Sequence, residues 1–152
     1  MSNYDSWAKR HDELMENAIS LLQKYANFKS QIMKVEKKPS FIRVFIGKKK
    51  IDFYIKEIKS KFVKDVWISK KDNFDEDAYY LVYAEKQKLW YIVSGYDIKM
   101  NCEIRESEWA KNLKYIVVPF NIFRIASIFL KTAKSRYDDL LQKKMDEWTK
   151  GI

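Results

Sequence analysis

The sequence predicts an α+β fold: a central mixed or antiparallel β-sheet flanked by an N-terminal helix and a long C-terminal helix. Three observations predict it. Apolar residues near both ends recur at spacings of three and four, the period of a helix that buries one face. Between them lie short β-branched and aromatic runs, FIRVFIG, IDFYIKEIK, AYYLVYAEK, KLWYIVSG and KYIVVPF, punctuated by glycine, proline and lysine. The order is helix, then mostly strands, then helix, rather than a regular alternation. The 152 residues, 1–152, suffice for a single domain with a real core.

The first helix is predicted over residues 5–28, with Trp7, Leu14, Ala18, Leu21, Leu22 and Tyr25 as its apolar stripe and Asp5 or Ser6 at its start. Pro39 and Ser40 break the chain. FIRVFIG and IDFYIKEIK then form a hairpin around Gly47 and its following lysines. A short strand, Val66 to Ile68, leads into SKKDNFDEDA, where Ser69 can cap a short helix that carries acidic residues at its start. Tyr79, Leu81 and Tyr83 lie on one side of the next strand and Tyr80, Val82 and Ala84 on the other. Both sides are apolar, which predicts a central strand covered on two faces. KLWYIVSG pairs with it. YDIKMNCEIRESEWAKN reads as a turn of helix and a surface loop, and Pro119 ends the last strand at an edge or a turn. Residues 121–149 carry a stripe from Ile122 and Ile125 to Met145 and Trp148, predicting the long helix, whose distal half is a candidate homodimer contact unless the helix breaks near Ser135.

Composition excludes several classes. Hydrophobic residues make up 47% of the chain and aromatics 16%, which predicts a folded protein; three glycines and two prolines leave no room for long flexible linkers. No apolar run reaches the roughly 18 residues of a membrane span. The charged opening, MSNYDSWAKRHDELMEN, is unlike a secretory signal, so an intracellular protein is expected. Cys102 is the only cysteine and His11 the only histidine, which excludes an internal disulfide and argues against a structural zinc site. A Ser-His-Asp mechanism would rest wholly on His11, in a charged helix start. The net charge of +9 favours a polyanionic partner, with a lysine-rich, solubilising surface as the other explanation.

Residues 51–61, IDFYIKEIKSK, carry the chemical signal. Ile51, Phe53, Ile55, Glu57 and Lys59 share one side of a strand, so an apolar face continues as an acid and a base. Glu57 and Lys59 sit about 7 Å apart along such a strand. A carboxylate there can hold a divalent metal, and the ammonium can orient a water or stabilise charge on a phosphate. The other reading is a solvated strand end with a surface ion pair. Glu85 has the same grammar, an acid closing the face of Tyr79, Leu81 and Tyr83, and would lie beside Glu57 if its strand is central; the alternative is the start of an exposed EKQK turn. Asp72, Asp75, Glu76 and Asp77 lack EF-hand spacing and read as helix-start acids.

The hairpin ending in EIKSK, the strand VWIS, the acidic KKDNFDEDA, then YYLVYAEKQKLWYIVSG and YIVVPF together resemble the second half of PD-(D/E)XK nucleases, over about residues 41–120. The resemblance implies a metal-dependent DNA nuclease using Mg²⁺ or Mn²⁺, with Glu57 as metal-binding acid and Lys59 as catalytic lysine. The pattern departs at the family's first acid, because FIRVFIG has none. Asp52 is the near candidate, but its parity is opposite to that of Glu57 and it needs a β-bulge to reach the metal. Glu36, Glu13 and Glu16 are the other candidates. Lys48, Lys49 and Lys50 at the hairpin tip, with Lys61, Lys70 and Lys71, are the expected nucleic-acid contacts. Tyr79, Tyr80, Tyr83, Trp90 and Tyr91 are either base-stacking platforms or core. The competing function is a basic DNA- or RNA-binding protein without hydrolysis; a third is an interaction protein that dimerises through its last helix.

Overall fold

The computed structural model describes residues 3–26, 29–60, 64–107 and 112–132. Helix α1 (Asn3–Tyr25) buries Leu14, Met15, Ala18 and Leu22, spaced to line one face. Three strands follow: β1 (Ile32–Lys37), β2 (Phe41–Ile46) and β3 (Lys49–Ile58). The β2–β3 hairpin turns at Gly47, whose φ of +59° lies in the left-handed region that glycine enters at no steric cost. Lys49 and Lys50 pair with Ile46 and Phe45 inside the hairpin, so Lys48 alone of the three expected tip lysines occupies the turn.

After β3 the chain leaves the sheet through β4 (Asp65–Lys70) and a 3₁₀ turn at Lys71–Asn73, then returns as β5 (Tyr79–Ala84). A crossover of this length allows β5 to lie parallel beside β3, which a tight turn cannot do. Strands β6 (Leu89–Ser94) and β9 (Arg124–Ile125) complete a six-stranded mixed sheet of order β1-β2-β3-β5-β6-β9. Between them lie α2 (Gly95–Asn101), β7 (Glu103–Glu106) and β8 (Lys114–Pro119); α3 (Ala126–Thr132) closes the described chain. The α+β class and mixed sheet agree with the sequence. A second sheet, of order β4-β8-β7, has no counterpart in the sequence pattern.

Two cores result. Met15, Ala18 and Leu22 of α1, with Phe129 and Leu130 of α3, cover Ile51, Phe53, Tyr79 and Leu81 on one face of the large sheet. Tyr80, Val82 and Ile58 on the other face meet Val66, Ile68, Ile116 and Val118 of the small sheet. Strand β5 is therefore buried on both faces, as its pattern predicts. Burial pushes the Tyr80 phenol up to about 12, and its oxygen accepts from the Asp75 N–H at 3.1 Å. Gly95 starts α2 against the loop that precedes β5, where a Cβ would meet the Asp75 carbonyl oxygen at 2.4 Å.

Several element boundaries differ from the sequence reading. The segment from Phe120 to Ile125 is not α-helical: Phe120–Ile122 is a 3₁₀ turn, and Arg124–Ile125 pairs with β6 before α3 begins at Ala126. Residues 133–149 of the expected long helix, and with them its proposed dimer contact, lie outside the described residues. Ser69 does not cap the short helix; its hydroxyl donates to the Lys70 carbonyl oxygen, and the helix is a single 3₁₀ turn. Ser94 is the cap that does form, accepting from the Asp97 N–H at 3.1 Å at the start of α2. Among the described residues no helix is long and apolar enough to cross a membrane.

Candidate functional site

Glu57 stands near the C-terminal end of β3, on the face whose Ile51, Phe53 and Ile55 pack beneath α1. Glu85 follows the last residue of β5. Because β3 and β5 are parallel and in register from Phe53↔Tyr79 to Ile58↔Ala84, both acids emerge at the same end of the sheet. The Glu85 N–H extends this ladder by donating to the Ile58 carbonyl oxygen at 2.9 Å. The expected neighbourhood of Glu57 and Glu85 is thus present.

A third group, which strand parity does not reveal, joins them. Arg10 of α1 donates from Nη2 to Glu85 Oε2 at 2.8 Å, and the same nitrogen lies 3.0 Å from Glu57 Oε1. Lys59 Nζ is 4.0 Å from the same Glu57 oxygen, an ion pair too long for a hydrogen bond. Two carboxylates and two cationic groups give a formally neutral cluster. The Glu57 side chain is the least exposed at 15%, against 40% for Glu85, 46% for Arg10 and 62% for Lys59. Its charge is the one that most needs a partner.

Arg10, Glu57 and Lys59 of this cluster line a cleft of about 420 Å³, together with Trp7, His11 and Leu14 of α1 and Ile55 and Lys56 of β3. Helix α1 overhangs the end of the sheet here. Extending its buried face backward from Leu22, Ala18 and Leu14 by one turn reaches Arg10 and His11, the signal by which the sequence could have placed them. The helical period puts Trp7 in the apolar stripe. It is instead 61% exposed, lining the cleft beside His11.

Asp52 is not part of the cluster. Strand β3 keeps an unbroken register with both β2 and β5, so no bulge reverses its parity. Asp52 faces the opposite side and accepts from Arg43 Nε at 2.8 Å and Nη2 at 3.1 Å, a two-pronged pair with its cross-strand neighbour. That carboxylate holds the Arg43 guanidinium above its ordinary range. Of the other candidate acids, Glu36 is held below the usual carboxylate range by Lys34 and Lys38, Glu16 pairs with Lys37, and Glu13 is exposed on α1.

The expected lysine contacts do not gather at the cleft. The hairpin tip lies at the far end of β3 from Glu57, about 26 Å away by strand rise. Lys70 ends β4 in the other sheet, and Lys71 lines a separate groove with Phe74, Glu76 and Lys99. Lys61 lies outside the described residues. Lys56, although of the opposite parity to Glu57, does line the cleft; it is half-buried, and burial lowers its pKa. The tyrosines proposed for stacking serve packing: Tyr79 lies against Phe53, Tyr80 against Tyr54, Tyr83 against Trp90 and Tyr91 against Phe120.

A divalent ion can be tested against this donor set. Magnesium is commonly held by one or two carboxylates, with water completing its octahedron. Glu57 and Glu85 supply that number and already converge on one cationic nitrogen, so they fit a single ion if Arg10 gives way. Among the described residues no cluster of three or more His, Cys, Asp or Glu side chains exists to build a larger centre. No protein-family model, curated protein or solved structure matches this chain.

Proposed function

We propose that the chain is a metal-dependent nuclease that hydrolyses DNA phosphodiester bonds at the Glu57 cleft. One observation carries this reading: Glu57 and Glu85, at the ends of two parallel strands, converge on one nitrogen of Arg10, and Glu57, Arg10 and Lys59 line a single cleft. Bound Mg²⁺ would supply Lewis-acid charge and a more acidic water. Glu57 and Glu85 would hold it. Lys59, mostly in solvent, can swing its ammonium toward the phosphate oxygen on which charge develops.

Arg10 favours a second reading. It already neutralises both acids, and a cluster so satisfied also suits a basic protein that binds DNA or RNA without cutting it. Purified full-length protein incubated with linear, circular and branched DNA separates the two. Cleavage with Mg²⁺ that stops on chelation supports the nuclease. Salt-sensitive binding, no cleavage and indifference to chelator support the binding protein.

Arg10 also yields a direct prediction. Partly exposed ion pairs contribute at most about 1 kcal/mol each. Arg10→Ala is therefore expected to lower the Mg²⁺ concentration for half-saturation by about 3- to 10-fold, read by calorimetric titration. Weaker Mg²⁺ binding in this variant would show that Arg10 builds the site instead of competing for it.

A further inference from the structure

The exposed indole in the cleft has a fixed orientation. The Trp7 ring lies parallel to His11, with centroids 5.2 Å apart and planes 3° from coincident. His11 is itself tied down, its Nε2–H donating to the Pro39 carbonyl oxygen at 2.7 Å in the turn between β1 and β2. One side of the indole is thus backed by an anchored ring, while Trp7 as a whole stays 61% exposed. The same cleft holds Arg10, Glu57 and Lys59. Flat apolar surface and cationic groups together suit a ligand with a π-face and a phosphate.

We propose that Trp7, backed by His11, is a stacking platform for an unpaired nucleobase, so that the cleft takes single-stranded or locally unpaired nucleic acid. The proposal rests on reading the cleft as a phosphodiester site. Within a duplex both faces of each base are covered by its neighbours, and a side-chain ring has no face to meet. An unstacked base offers one, whatever its identity. The base and an adjoining phosphate would then be engaged on the same wall of the protein. The chain's net charge of +9 complements such a polyanion.

The test is fluorescence anisotropy of the full chain in EDTA, where hydrolysis is suppressed. Three labelled probes of equal length are used: oligothymidine, the same strand with central abasic sites, and a duplex. Wild type is expected to prefer oligothymidine. Trp7→Ala, at an exposed helix position, is expected to lose about 10-fold or more on that probe and little on the other two. Trp67→Ala, an exposed tryptophan on β4 in the other sheet, is the control and should change nothing. Trp7→Ala binding oligothymidine like wild type, or weakening equally on all three probes, overturns the proposal. If wild type binds every probe equally and still cuts DNA with Mg²⁺, the stacking platform fails while the nuclease stands. Trp7-dependent binding to oligothymidine without any cleavage upholds the platform and removes the nuclease.

Discussion

Alanine at position 57 is expected to reduce Mg²⁺-dependent cleavage at least about 100-fold while leaving the fold intact, since a metal ligand supports several kcal/mol of transition-state stabilisation. The geometry explains why stability should survive. Arg10 keeps its 2.8 Å hydrogen bond to Glu85 when Glu57 is removed, and Lys59, which loses its pair, is 62% exposed to water, so no buried cation is left stranded. The pairs lost are partly solvated and worth at most about 1 kcal/mol each, and the melting temperature should fall by no more than about 4–8 °C. Lys59→Ala should separate the roles within the cleft. It removes no metal donor, so kcat should drop with Mg²⁺ half-saturation unchanged, whereas Glu57→Ala should disturb both. Normal cleavage by Glu57→Ala would move the chemistry elsewhere in the molecule.

The parts of this molecule that sequence exposes are those whose burial follows a short period. Strand β5 reads as central because both of its faces are apolar up to Glu85, and parity alone unites Glu57 with Lys59 and sets Asp52 apart. Strand β1 escapes such a reading because three of the six residues of IMKVEK are charged, two of them adjacent at Glu36 and Lys37; its Lys37 is satisfied by Asp12 and Glu16 of α1, contacts 21 residues or more away in the chain. Strand β7 exposes all four residues and carries no core signal at all. At the C-terminal side, Ile122 and Ile125 fit a helical stripe equally well. The structure instead buries Phe123 and uses Ile125 to pair with Tyr91, a choice that only the β6 edge explains. The site divides in the same way. Glu57 and Glu85 both follow from parity, but Arg10 lies 75 residues from Glu85 and joins it only through the packing of α1 on the sheet.

That packing can be loosened directly. Phe53 is 1% exposed, stacks on Tyr79 at a centroid distance of 5.5 Å, and sits in the core shared with Met15, Ala18 and Leu22 of α1. Phe53→Ala removes the whole phenyl ring from a buried site and is expected to cost about 3–5 kcal/mol. For a chain of this size that lowers the melting temperature by about 6–20 °C, measurable by circular dichroism. Phe53 and Glu57 share one face of β3, so the two variants separate fold from chemistry on a single strand. Phe53→Ala should shift the melting curve and, well below its midpoint, keep cleavage within a few-fold of wild type. Glu57→Ala should do the reverse. A Phe53→Ala protein that is folded yet inactive would mean that the seat of α1, and so the position of Arg10 over the two acids, governs whether the cleft works.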